Sequence, residues 1–428
     1  MIHSRVESTS STDPIGFFEA ASGPRFFWST PDRLLTLVGR GELQVIAETG
    51  DDRFARSAAS WCALSQGTAV DGESGAPHTG PMLMGGFSFQ AGLARMLPWR
   101  KFWSSHLALP ESLLTSANGR TWLTTNELVE SKLGPVTPAR VGDRGQVDVE
   151  PPPSRASALS TGDWEALVQR GVDEIRSADS GVEKVVLARQ IPLELDRPAE
   201  VGKALRYLCE AYPECYVFAF GQPGLCFLGA SPERLVKLER GIVSAGSLAG
   251  SAARGRTFEE DQALGRAMLA SDKERNEHDL VTRGLMEDLQ AAGVEVIGGS
   301  GLPTVTKVRN VQHLVTRIEG RAPSSLTVLD LAGRLHPTPA VGGYPREAAL
   351  RAIARLEDFE RGWYAGPVGW ADRHGEGEFA VAIRSALVQG SRAWLYAGCG
   401  IVADSDPERE FAESELKLRP MREALAGD

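Results

Sequence analysis

The sequence predicts an α+β protein in which many of the strands run antiparallel. Three observations lead there. Residues 366–371, 378–387 and 392–397 are apolar runs joined by glycine-bearing turns, the pattern of an antiparallel meander. Residues 215–228 and 234–243 read as a further pair of strands around Gly229-Ala230-Ser231-Pro232-Glu233. Interspersed with them are long stretches whose apolar positions recur with the 3.6-residue period of a helix.

In chain order, residues 1–15 are Ser/Thr-rich and are expected to fray. From 16 to 133 the pattern is mixed. Arg25-Phe26-Phe27-Trp28 and residues 34–39 read as short strands, 54–64 as a helix, and 85–89 as a strand behind a glycine-permitted close approach. Residues 134–160 turn Pro/Gly/Ser/Arg-rich around Pro151-Pro152-Pro153, which reads as a linker or a surface crossover before the region 161–428. There Asp163 is the expected cap of a helix carrying Trp164, Leu167, Val168, Val172 and Ile175 on one stripe, and 184–189 follows as a strand. Ser271-Asp272-Lys273-Glu274 reads as a capping box opening a helix to about residue 292. The last helix has Ser405 or Asp406 as N-cap, Pro407 as its first residue and Glu408 in its first turn, with Phe411, Ser414, Leu418, Met421 and Leu425 facing the core.

With 428 residues, 42% of them hydrophobic and 24% charged, the chain is long enough to bury a large core. A formal net charge of −10 argues against generic nucleic-acid binding, so a site for an anion must make its own positive field. Cys62, Cys209, Cys215, Cys226 and Cys399 are odd in number and scattered, with no CxxC, which argues against a disulfide framework or zinc site and for a reducing compartment. No apolar run approaches membrane-spanning length, and Met1-Ile2-His3-Ser4-Arg5 leads into no signal core. A cytoplasmic protein is the expectation.

The chemistry-bearing residues cluster late in the chain. On the last helix Glu410, Glu413 and Lys417 fall at i, i+3 and i+7 beside the apolar stripe. The helix from Ser271 carries a second Glu-x-x-Glu pair, Glu274 and Glu277, beside the stripe of His278, Val281, Leu285 and Leu289. Facing each other, the two pairs would form an oxygen-only site suited to Mg2+. The alternative is two solvated acidic faces, with Glu274 serving only its capping box. In the run 378–387, Arg384 stands among alanines on one face, which points to a shallow cavity with a bidentate anion ligand, or else to an edge-strand arginine in solvent. The glycines of Ala397-Gly398-Cys399-Gly400 and of 244–255 would let backbone approach a ligand, a weak signal by itself.

A set of ordered motifs then identifies a resemblance. KVVLAR (184–189), GASPERL (229–235), LAGS (248–251), KERNEH (273–278), VQHL (311–314), HPTPAVGGYP (336–345), RGWYAGPVGW (361–370), GEFAVAIRSAL (377–387), AGCGIV (397–402) and EREFAESELK together resemble the chorismate-utilising enzymes, and among them the isochorismate synthases. The similarity runs through 161–428, with a fainter trace at Trp28 and 81–89. It implies a single large α+β fold of stacked antiparallel sheets, drawn from both halves of the chain and covered by helices.

It also implies roles. Isochorismate synthases add water at C2 of chorismate and expel the C4 hydroxyl. The family's base falls at Lys184, which must be neutral to activate water, and its acid at Glu233, which must keep its proton. Glu277 and Glu413 are the implied direct Mg2+ ligands, with Glu274 and Glu410 acting through water. Arg384, Lys417 and backbone near Gly250, Ser251 and Gly398 would hold the enolpyruvyl carboxylate and neighbouring oxygens, and His313 matches a histidine near the substrate ring. Related synthases that use ammonia carry glutamine at the position of Lys184 or a lysine at that of Ala249. The residues present imply water as nucleophile and no amidotransferase subunit. Salicylate synthases share Lys184, Glu233 and the metal glutamates and are the alternative. The motifs look most like the menaquinone-pathway isochorismate synthases, although siderophore-pathway synthases catalyse the same reaction.

Overall fold

A computed structural model describes residues 1–10, 12–92, 98–99, 102–129, 160–299 and 302–427. The frame of the molecule begins with strands β1 (Ile2–Thr9), β2 (Arg25–Ser29), β3 (Met82–Phe87) and β4 (Arg120–Leu128). Helix α1 (Thr161–Arg176), strand β5 (Lys184–Glu194) and helix α2 (Val201–Ala211) follow, then strands β6 (Tyr216–Gln222), β7 (Leu225–Ser231), β8 (Arg234–Glu239) and β9 (Ile242–Ala253). After helix α3 (Asp272–Ala291) come β10 (Val311–Arg321), β11 (Pro367–Asp372), β12 (Gly377–Val381), β13 (Ser385–Gln389), β14 (Arg392–Ile401) and helix α4 (Pro407–Ala426).

Among the described residues these strands belong to two sheets, one of 12 strands and one of 10, each drawing on both halves of the chain. In the larger sheet the halves meet where β2 pairs with β6, Phe26 opposite Phe220. In the smaller they meet where β3 pairs with β11, Gly85 opposite Gly369. Pairing is antiparallel, except that β1 runs parallel to Ala69–Gly72 at the edge of the larger sheet. The two sheets stack, as the fold class expected from the motifs requires.

The sequence of the seam shows why. Strand β6 is apolar at successive positions because both its faces are covered. Phe218 and Phe220 join Trp28 and Phe227 in the core between the sheets, together with Met84, Phe87 and Phe379 of the other sheet. The alternate residues Val217 and Ala219 pack outward with Leu205 and Leu208 of α2 and Leu418 and Met421 of α4. Burying one such phenylalanine contributes about 2–3 kcal/mol, so the seam is held from both sides.

The chain steps from one sheet to the other at several places, and two of these corners lie side by side. Strand β7 belongs to the larger sheet and β8 to the smaller, with Pro232 and Glu233 between them. Strand β12 belongs to the smaller sheet and β13 to the larger, with Ala382, Ile383 and Arg384 between. The corners are tied together: the Val381 N–H donates to the Glu233 carbonyl at 3.0 Å, and the Ala230 N–H to the Arg384 carbonyl at 3.1 Å. The Ser231 hydroxyl adds a bond to the Val381 carbonyl at 2.6 Å.

Several expectations need correction. The run 378–387 is not one strand of a meander but two strands in different sheets, and the break is marked by a left-handed backbone at Arg384 (φ 52°). The N-terminal residues do not fray: β1 pairs along its length with β4, and Ile2 and Val6 are buried. Helix α1 is capped by Ser160, and Asp163 is the reciprocal N3 residue of the capping box. Ser271 caps α3 by accepting from the Glu274 N–H, but the Glu274 carboxylate accepts elsewhere, from the Ser251 N–H. Asp406 caps α4 as expected, whereas its buried face runs through Glu410, Ser414, Leu418, Pro420 and Met421. The proline-rich crossover lies, apart from Ser160, outside the described residues.

Candidate active site

Lys184 opens β5, and its side chain is almost wholly buried. Its Nζ lies 2.9 Å from Glu277 Oε1 on α3. The pair fits only because the neighbouring strand β14 passes with a bare backbone. A Cβ on Gly400 would stand 2.4 Å from Glu277 Oε1 and 2.8 Å from Lys184 Cε. Burial works to raise the Glu277 carboxyl, but Lys184, followed by Lys417 and Lys273, holds it below the ordinary carboxylate range.

Helices α3 and α4 bring the four expected carboxylates together, each with its own partner. Glu413 pairs with Lys417 at 2.6 Å and Glu410 with Lys273 at 3.2 Å. Glu274 accepts from the Ser251 N–H at 3.1 Å, an approach that needs Gly250 (φ +76°), whose Cβ would lie 2.9 Å from Glu274 Oε2. Burial, then the charge of Glu413, pushes Glu410 up to about 7. Burial, then Glu277, raises Glu274. Carboxylates that disfavour each other's ionisation are a natural seat for a hard cation, which takes oxygen ligands. Cys399 Sγ sits close to Glu410 and Glu413, but its thiol donates to the Glu410 carbonyl at 3.3 Å and burial drives its pKa well up. A neutral thiol is a wall and not a ligand, so the donor set is all oxygen and fits Mg2+.

Glu233 stands on the first of the two adjoining corners and is 4% exposed. Burial pushes its carboxyl up to about 8, against the pull of Lys184, Lys417 and Arg384. Burial thus favours its protonated form. Arg384, on the second corner, donates through Nη2 to His313 Nε2 at 2.8 Å. Lys417 reaches the Gly398 carbonyl at 2.9 Å, and Glu413 keeps it protonated in spite of burial.

One cavity collects these groups. Lys184, Glu233, Gly250, Ser251, Glu277, His313, Arg384, Gly398, Glu413 and Lys417 all line it. Glu274 and Glu410 stand behind this wall. The backbone groups expected at the ligand are partly engaged within the protein: the Ser251 N–H on Glu274, and the Gly398 and Gly250 carbonyls on Lys417 and His313. Sequence reasoning missed the apolar and aromatic wall of Val341, Tyr364, Ile383 and Tyr396. Tyr364 stacks on Tyr396 with ring centroids 5.2 Å apart. Val341, Tyr364 and Ile383 fall within motifs that carried the resemblance, but nothing in an aromatic or aliphatic residue type marks it as cavity-facing.

A cavity in which a buried lysine, a buried carboxyl group and an arginine converge is the layout of an enzyme active site. A model of the chorismate binding enzyme family matches residues 1–426. The chain is 37% identical over 438 residues to the isochorismate synthase MenF of Bacillus subtilis, covering 98% of this chain and 92% of that protein. It is 36% identical over 429 residues to the salicylate biosynthesis isochorismate synthase of Pseudomonas aeruginosa, covering 97% and 88%. The solved structure of MenF, the menaquinone-specific isochorismate synthase from Escherichia coli, matches with a TM-score of 0.78 at 25% identity, over 99% of this chain and 95% of that one. The chain belongs to the chorismate-binding enzyme family. Among the described residues no helix is long and apolar enough to cross a membrane.

Proposed function

We propose that this enzyme is an isochorismate synthase, converting chorismate reversibly to isochorismate and feeding menaquinone synthesis. The observation that carries the reading is the placement of a buried acid, Glu233, whose burial favours the protonated form, and a buried lysine, Lys184, on the walls of one cavity. The likeness to the Bacillus and Escherichia enzymes supports both the reaction and the pathway.

In this reading Lys184, having released its ammonium proton to solvent, takes a proton from the water that attacks C2, while Glu277 stays ionised. Glu233 delivers its proton to the C4 hydroxyl as the C–O bond breaks, so water enters and water leaves. Arg384 and Lys417 hold the enolpyruvyl carboxylate, and His313 stands beside Arg384. Glu277 and Glu413 would hold Mg2+ directly, with Glu274 and Glu410 through water. The ion would supply positive charge for the ring carboxylate of chorismate. Ala249, where an ammonia-using relative carries lysine, supports water as nucleophile and action without an amidotransferase subunit. Five unpaired cysteines support a cytoplasmic setting.

The test is purified protein with chorismate and Mg2+, products separated by chromatography, and EDTA as control. Isochorismate without pyruvate is the expected result. Salicylate with stoichiometric pyruvate, or no turnover at all, would overturn it.

A further inference from the structure

The contact between Arg384 and His313 fixes the position of a proton. A guanidinium carries only donors, so across 2.8 Å Arg384 Nη2 donates and His313 Nε2 accepts. On the far side of the ring, Nδ1 lies 3.1 Å from the Gly250 carbonyl, which can only accept. Nδ1 therefore bears the hydrogen, and the Ser251 hydroxyl oxygen, 3.0 Å away, shares it. Both residues are buried, His313 at 4% exposure and Arg384 at 3%. Burial, then the charges of Arg384 and Lys417, holds the imidazole neutral by taking its pKa well below the ordinary histidine value.

The second observation concerns what Arg384 has left over. Its Nη1 is buried with no hydrogen-bond partner, in a residue that lines the cavity. A buried guanidinium nitrogen without a partner costs free energy unless a ligand satisfies it. Had a carboxylate stood at position 313, it would have oriented the guanidinium and neutralised it at once. A neutral imidazole orients it and leaves its charge intact. The left-handed backbone at Arg384 sets the direction of approach, and the Gly250 carbonyl fixes the ring from behind.

We infer that His313 is a positioning residue which, as the Nδ1–H tautomer, aims Arg384 at a carboxylate of the substrate without neutralising it. The identity of that carboxylate as the enolpyruvyl group of chorismate rests on the proposed function. The tautomer does not.

Two measurements test this. Nitrogen-15 NMR of histidine-labelled protein should show the His313 signal, recognised by its disappearance in His313→Gln, with a bare Nε2 and a protonated Nδ1 between about pH 6 and pH 8. In kinetics, His313→Leu should raise KM for chorismate about tenfold, the loss expected of one hydrogen bond to a charged group, while kcat changes little. His313→Gln, whose side-chain oxygen can accept from Arg384, should recover most of that loss, which a merely space-filling role does not predict. A protonated Nε2, an imidazolium, or a folded His313→Leu with wild-type KM would overturn the inference. Wild-type protein that fails to turn over chorismate would remove the functional reading, and the NMR signal would still decide the tautomer.

Discussion

The carbonyl of Glu233 accepts the Val381 N–H at 3.0 Å, and this bond joins two of the corners at which the chain changes sheets. Each corner presents one side chain to the cavity, Glu233 from the first and Arg384 from the second. Neither sits in a ladder of its own, so their separation is set by how the two corners are tied. Glu233→Gln keeps the size and the backbone but cannot supply a proton. Turnover should fall by about 10²- to 10⁴-fold with an unchanged circular dichroism spectrum. Near-normal turnover would remove Glu233 from the acid role.

The raised pKa of Glu233 also gives pH profiles a direction. As an acid it must hold its proton, so the rate should decline as pH rises through about 8. Stability moves the same way. The unfolded chain releases this proton near the ordinary glutamate value of 4.5 and the folded chain near 8, so the group's contribution is full below 4.5 and fades up to about 8. The difference in melting temperature between Glu233→Gln and wild type should therefore grow in the variant's favour from pH 5 to about pH 8 and then level off. A constant difference would mean that Glu233 titrates alike in both states.

Gly400 should tolerate no side chain. The added methyl of Gly400→Ala would meet Glu277 and the Lys184 stem, both inside contact distance. We expect a folded protein whose kcat drops at least tenfold, since a base displaced by about an ångström loses its alignment. Wild-type kcat would show that the Lys184–Glu277 contact is not needed.

Glu413→Gln should weaken divalent-cation binding, read directly by titration calorimetry with Mg2+ or by Mn2+ electron paramagnetic resonance. Loss of one charged ligand is expected to cost about tenfold or more in affinity. Unchanged affinity would place the cation elsewhere.

The N-terminal strand should matter for folding and not for chemistry. Val6→Asp puts an unpaired carboxylate at a position 1% exposed. It should destabilise by about 3 kcal/mol or more, seen as a lower denaturation midpoint, while KM in the folded fraction holds. A neutral effect would mean that β1 detaches readily.

Sequence patterns picked out residues that line the cavity better than the path of the chain between them. Lys184, Glu277, Glu413 and Lys417 stand in motifs whose residue types already belong to acid–base or cation chemistry. The corner at Arg384 was hidden because apolar residues flank it on both sides, and a run buried in either sheet looks like one strand. Arginine gives no hint of a positive φ, as a glycine there would have done. Glu410 lies deeper than its place beside the apolar stripe suggested. A carboxylate on a helix ordinarily marks the solvent side, whereas this one is 3% exposed beside Lys273. Residues 1–15 carry few large apolar groups, so the pairing of β1 with β4 left little trace in local composition.

The two seams have a consequence for how the protein is made. Strand β2 leaves the ribosome long before β6, its partner at the seam, and β3 waits longer still for β11. At ordinary rates of synthesis that delay is roughly ten seconds or more. Throughout it, a strand bearing Phe26, Phe27 and Trp28 has an unpaired edge. Nascent chains should thus engage holding chaperones until translation is nearly complete, and neither half expressed alone should be soluble.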